Sequence, residues 1–240
     1  MHNIIKKIVE KKQEDLNQLK RGGFLNLSKN KIVVIAEIKL ASPTISYLGS
    51  EKDIIKRALA YEEAGVDAMS VITEKNYFKG SSSFIPRLKK KVGLPILQKD
   101  FVIDPYQIYE AKIIGANALL LIAKIVSKET LIKFVSLCQE IGVEPVVEIN
   151  DEMDLKKALA TSTKIIAVNA RNLETFVVDV DIACQLIKKV PNQFIKLGFS
   201  GIKSSIEIKK YQRAGVNGIL VGTSLMKAKN IKKFIKELKI

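Results

Sequence analysis

The sequence predicts an α/β protein, a (β/α)8 TIM barrel with an extra N-terminal helix. Three observations carry this. A glycine, a short connector and an apolar run recur as "AGVDAMSVIT" (64–73), "IGANALLLIA" (114–123), "IGVEPVVEIN" (141–150) and "AGVNGILVGT" (214–223). Four further runs, "VVIAEI" (33–38), "PILQ" (95–98), "KIIAVN" (164–169) and "FIKLGF" (194–199), bring the strands to eight. The chain has 240 residues, and a barrel of eight strand–helix units typically needs about 250.

Each element has a local reason. Glycine just past a helix takes the left-handed conformation that closes it. The short apolar runs that follow suit parallel strands buried on both faces. Strands alternating with helices imply right-handed crossovers. A doubly wound sheet is the competing fold, but it normally carries a glycine-rich phosphate turn after its first strand. No G-x-G-x-x-G and no Walker A motif is present.

The helices between the runs carry their own signals. The first 20 residues are amphipathic and end at Gly22-Gly23, so residues 1–31 are expected as a helical extension of one barrel domain spanning 1–240. Asp104-Pro105 places proline in a first turn. Ser127 is positioned to cap a helix over 127–142, with Leu131, Phe134, Val135 and Cys138 at helical spacing. Ser204 and Glu207 have capping-box spacing at the head of 203–214. The last helix, 230–239, is expected to bury Ile231, Phe234, Ile235 and Leu238.

Composition narrows the chemistry. The formal charge of +15 admits an anionic partner: nucleic acid, a membrane surface or a phosphorylated small molecule. Lysines spread over exposed helix faces produce the same balance and speak first to solubility. There is no helix-turn-helix, finger or aromatic-rich basic strand, so no nucleic-acid partner is expected. No apolar run approaches a membrane span and the N-terminus lacks a secretory pattern, so a cytoplasmic protein without a membrane partner is expected. Cys138 and Cys184 sit in no metal spacing and read as core thiols in a reducing compartment. The one histidine, His2, lies at the terminus, which excludes a His-ligated metal or a Ser-His-Asp triad.

In a barrel the active site forms at the carboxyl ends of the strands. Those ends carry Glu37 and Lys39, then Lys99, Glu148, Asn169 and Arg171, and finally Ser200-Gly201 and Gly222-Thr223. A charge at one strand end is ordinarily the start of a solvated loop. Their joint occurrence on one rim is more specific. Glu37 and Lys39 are two residues apart and so share a face, inward if Val33 and Ile35 point inward. The glycines after the last two strands stand where barrels bind phosphate through backbone N–H groups.

These residues resemble the indole-3-glycerol phosphate synthase family. The likeness runs through "IAEIKLASP" (35–43), "SVITEKNYFKGS" (70–81), "LPILQKDFVID" (94–104), "ALLLIAKI" (118–125), "VEIND" (147–151), "AVNARNLETF" (167–176), "SGI" and "LVGTSLM", in the family's order. "QKDFVID" and "NARNLETF" are its most specific parts. The resemblance implies conversion of 1-(2-carboxyphenylamino)-1-deoxyribulose 5-phosphate to indole-3-glycerol phosphate, with loss of carbon dioxide and water and with no cofactor or metal. It implies Lys99 as general acid, Glu148 as acid/base partner, Glu37 and Lys39 as the supporting pair, and Asn169 as a hydroxyl contact. It further implies Arg171 near the aromatic carboxylate, Ser42 against the substrate, and Phe78, Phe101 and Leu120 flanking its ring. Ser200, Gly201, Gly222 and Thr223 match the phosphate cradle. The expected partner is this phosphorylated small molecule, and the chain a monomer or weak homo-oligomer.

Three departures stand out. Phe199 in "GFSGI" replaces a carboxylate usual in the family, which removes an ionisable group from the pocket. The loop "SPTISYLG" lacks the customary glycine, so different loop motion is expected. The N-terminal extension is short for covering the phosphate. Two alternatives follow. One is another phosphate-binding barrel such as phosphoribosylanthranilate isomerase, which would want a Cys/Asp pair at strand ends. The other is a catalytically impaired binding protein, favoured by Phe199.

Overall fold

A computed structural model describes Phe24 and residues 32–239; the expected N-terminal helix lies outside the described residues. Eight parallel strands close in sequence order: β1 (Val33–Ile38), β2 (Ala68–Ile72), β3 (Ile96–Lys99), β4 (Ala118–Ile122), β5 (Glu144–Ile149), β6 (Ile165–Asn169), β7 (Ile195–Phe199) and β8 (Gly218–Val221). The helices alternating with them are α1 (Ile54–Glu63), α2 (Phe84–Lys89), α3 (Pro105–Ile113), α4 (Lys128–Glu140), α5 (Glu152–Leu159), α6 (Val180–Lys189) and α7 (Ser205–Ala214). A short α8 (Thr223–Lys227) and a final α9 (Ile231–Leu238) follow β8. The (β/α)8 reading therefore holds. The third strand runs one residue beyond its expected end, because Lys99 pairs with Ile72 and its carbonyl accepts Thr73 N at 3.0 Å.

The helix ends follow the local signals. Gly65, Gly115, Gly142 and Gly215 all have positive φ, between 72° and 90°. Ser127 Oγ accepts Thr130 N at 3.1 Å. Asp104 with Gln107 and Ser204 with Glu207 each form a complete capping box. In α9 Ile235 and Leu238 are fully buried, whereas Ile231 and Phe234 pack half-buried against the core. Cys138 and Cys184 are buried in α4 and α6, and burial pushes the Cys138 thiol up to about 12.

The repeated helix–glycine–strand connectors hide a polar device. Val34 N donates to Asp67 Oδ2 at 2.9 Å, and Asp67 N returns a bond to Val34 O at 3.0 Å. Asn117 does the same to Ile96, accepting its N–H at 2.9 Å and donating to its carbonyl at 2.9 Å. Asn217 repeats it with Lys196, at 2.8 Å in both directions. Each residue stands just before an even strand and clamps the start of the preceding odd one. The clamped N–H, on the first or second residue of its strand, would otherwise be a buried donor without a partner. At β6, which lacks this connector, Thr163 Oγ1 donates to Pro145 O at 3.0 Å.

Two apolar layers result. Val33, Ile35, Ala68, Leu97, Leu120, Val146, Ala167, Leu197 and Leu220 alternate along the strands into the barrel, and Phe24 joins them. The opposite strand faces pack against the helices. The interior layer fills the barrel below its carboxyl rim, so the inward-facing charged side chains stand at the top.

Asn117→Ala should lower stability by about 1–3 kcal/mol, the usual cost of orphaning a buried donor. Asn117→Asp keeps the acceptor and should lose much less. The shift in guanidinium midpoint at constant slope measures both.

Candidate active site

Every residue singled out at the strand ends and loops reaches one cleft of about 700 Å³ at the carboxyl rim. The parity argument for β1 holds there. Glu37, 3 % exposed, points inward with Ile35, and its Oε1 lies 2.8 Å from Lys39 Nζ. Closure of the barrel pairs Ala36 with Val221, and this brings Gly222, the residue after β8, onto the pair. A Cβ at Gly222 would fall 2.1 Å from Glu37 Oε1 and 3.1 Å from Lys39 Nζ. Its φ is −113°, so glycine is required here by space and not by backbone conformation.

The second pair lies across the mouth. Lys99 Nζ is 3.1 Å from Glu148 Oε2, and Asn169 Nδ2 donates to Glu148 Oε1 at 3.0 Å. Glu148 is 1 % exposed. Burying a carboxyl group is costly unless its oxygens are partnered, and both are. Lys99 keeps a face toward the cleft. Asn169 is held in turn: its Oδ1 accepts Arg171 N at 3.0 Å, which sets the amide orientation. Asn150 Nδ2 donates to the carbonyls of Asn169 (2.9 Å) and Arg171 (2.8 Å), tying the end of β5 to that of β6. Asn150 was legible only as part of "VEIND", since its role depends on two carbonyls about twenty residues away. Arg171 Nη1 donates to Phe176 O at 3.0 Å across its own loop.

One wall of the cleft is apolar. The rings of Phe78 and Phe101 are 6.4 Å apart and tilted by 40°. Phe101 is 41 % exposed, so it belongs to the cleft and not to the core, whereas Leu120 is buried in the barrel with its edge in the floor. Leu173 and Phe176 extend the wall and carried no chemical signal in the sequence. Both Glu74 oxygens accept from the backbone of Asn76, Tyr77 and Phe78, which fixes the loop bearing Phe78. Phe78 O accepts Ala41 N at 3.1 Å and so joins this loop to the first one. In that first loop Ser42 and Ile45 exchange two backbone bonds of 2.8 and 3.0 Å; the segment closes a tight turn without the glycine.

The opposite end is built from backbone. Ser200 and Gly201 both have positive φ, 69° and 77°. Tyr211 OH donates to Phe199 O at 3.1 Å and Ser200 O at 3.0 Å, and burial pushes this phenol up, keeping it a donor. Ser224 Oγ donates to Ile202 O at 2.6 Å. With Gly222-Thr223 at the head of α8, these turns present small residues for close approach by an anion. Lys203 also lines this end. It was overlooked because a lysine in so basic a chain is not distinctive.

A closed parallel barrel with a charged, part-apolar cleft at the carboxyl ends of its strands belongs to the class of (β/α)8 barrels that carry active sites on that rim. Residues 5–238 match the family model for indole-3-glycerol phosphate synthase, and the chain belongs to that family. The indole-3-glycerol phosphate synthase of Caldanaerobacter subterraneus subsp. tengcongensis is 41 % identical over 248 aligned residues, covering 99 % of this chain and 96 % of the relative. That of Leuconostoc mesenteroides is 43 % identical over 205 residues, covering 85 % and 78 %. Among solved structures, 3-hexulose-6-phosphate synthase superimposes with a TM-score of 0.70 at 16 % identity, over 86 % of this chain and 98 % of that one; this likeness concerns the fold alone.

Gly222→Ala should force the Glu37 carboxylate away from Lys39, at a cost of about 1–3 kcal/mol typical of overpacking. Chemical denaturation measures the loss, and a crystal structure of the variant should show the pair separated.

Proposed function

We propose that this chain forms indole-3-glycerol phosphate from 1-(2-carboxyphenylamino)-1-deoxyribulose 5-phosphate, as a carboxy-lyase of tryptophan biosynthesis. The observation that carries the reading is the Lys99–Glu148 pair, 3.1 Å apart between an apolar wall and a glycine-lined end of one cleft. The aryl ring lies against Phe78, Phe101 and Leu120. The phosphate sits at Ser200, Gly201, Gly222 and Thr223, with Lys203 beside it.

The chemistry follows from that placement. Lys99 gives a proton to the ketone oxygen as the carboxylated ring carbon attacks the ketone carbon. The new carbon–carbon bond closes the ring, and loss of carbon dioxide restores its aromaticity. Dehydration then removes the former ketone oxygen as water, and Glu148 carries the proton transfers of this step. Acid and base in contact on two different strands can serve successive steps on one substrate. Arg171 holds the carboxylate before it leaves. Asn169 contacts a substrate hydroxyl, the Glu37–Lys39 pair supports the acid from β1, and Ser42 contacts the substrate from the first loop.

The isomerase alternative has no support at the rim, because both cysteines are buried in helices. No helix among the described residues is long and apolar enough to cross a membrane. We take the protein to be a single-domain cytoplasmic enzyme, monomeric or weakly self-associating.

Incubation with the carboxyphenylamino substrate should produce indole fluorescence. Lys99→Ala and Glu148→Gln should each lower kcat by about 10²–10⁴, the usual worth of a general acid or base, with KM little changed. Normal turnover by Lys99→Ala would refute the assignment.

A further inference from the structure

We propose that Phe199 is a positioning residue for Lys99, its ring face holding the ammonium against Glu148. The inference rests on the ring-closing reaction above. Lys99 Nζ lies 5.4 Å from the centroid of the Phe199 ring while staying 3.1 Å from Glu148 Oε2. That places the cation within the roughly 6 Å reach of an aromatic face. Among the described residues, Glu148 is the one carboxylate at ion-pair distance from Lys99.

The ring is itself well fixed. Phe199 is 1 % exposed and belongs to the barrel-interior cluster, yet it also lines the cleft. Its register partner is Asn169, the residue that holds the other oxygen of Glu148. Its carbonyl accepts both Ala170 N at 2.9 Å and Tyr211 OH at 3.1 Å. A ring face attracts an ammonium without accepting its proton. Lys99 is thus steadied from below by a group that cannot compete for the proton it gives, and its one basic contact is Glu148. Phe199 in this chain is a support of the acid and not a defect in the site.

Two measurements test this. In protein labelled with [13C]lysine, the Lys99 signals are assigned by their absence in Lys99→Arg. The ε-methylene protons should be displaced upfield by the ring current in the wild type and in Phe199→Tyr, and should return to the ordinary lysine position in Phe199→Leu. In the fluorescence assay Phe199→Leu should lose roughly tenfold in kcat, in line with a partly desolvated cation–π contact, with KM within about twofold. Phe199→Tyr, which keeps a ring under the ammonium, should recover most of that loss. The proposal is overturned by a wild-type Lys99 signal without ring-current displacement, or by Phe199→Leu turning over like the wild type. An equal loss in the tyrosine variant overturns it too. If the wild type itself makes no indole product, the ring-closing reaction falls and this role falls with it; if the wild type is active and Phe199→Leu matches it, this role alone falls.

Discussion

The hydrogen-bonded closure of β1 on β8 is the constraint on which the rest depends. It pairs Val33 through Ala36 with Gly218 through Val221. One consequence is mechanical: every strand gains two neighbours and no edge is left open. The other is chemical. Continued by one residue, that register sets Gly222 against the Glu37 carboxylate with no room for a side chain. The residue that opens the glycine-lined end of the cleft is thereby the same one that packs on the Glu37–Lys39 pair. A one-residue slip would turn Glu37 and Lys39 toward the helices, since strand parity would reverse.

The barrel solves the problem of buried polar groups differently at its two ends. At the amino ends Asp67, Asn117 and Asn217 each close a two-bond clamp on the preceding strand. These clamps bind backbone and serve the fold. At the carboxyl ends the polar groups are charged and directed at one another. Glu148 has both oxygens occupied by Lys99 and Asn169, and Asn169 is steered by Arg171 and Asn150. The pairing of Glu148 matters because a buried charge left unpaired costs several kcal/mol, about 3–5 when one partner of a pair is removed. With both of its oxygens held, the Glu148 carboxylate keeps one orientation toward Lys99, and a fixed geometry is what an acid and a base need to meet one substrate.

Much of this was legible in the sequence, and particular residues show why. The glycines at 65, 115, 142 and 215 announce helix ends through a conformation that other residues adopt at a cost. Ser127, Asp104 and Ser204 announce helix starts through bonds made within four residues. Parity along "VVIAEIK" put Glu37 and Lys39 on one face. The tasks of Asn150 and Tyr211 are not legible in the sequence because their contacts join one strand end to another element, and no local spacing encodes them; Lys203 is one lysine among many in a basic chain. The three clamps were in plain view within the repeats, but only the pairing of adjacent strands gives their side chains a task.

By itself the sequence determined the eight strand–helix units, their caps, the shared face of Glu37 and Lys39 and the list of chemistry-bearing residues at the rim. These rest on interactions between residues close in the chain or on alternation along one strand. Tertiary structure alone decided which of those residues meet: Lys99 with Glu148 across two strands, Gly222 with Glu37 through closure, and Lys99 with the ring of Phe199. Read along the chain, Phe199 is an apolar residue where a carboxylate was expected. In the barrel it lies beneath the ammonium, because shear and closure, which no single strand encodes, set β7 opposite β3.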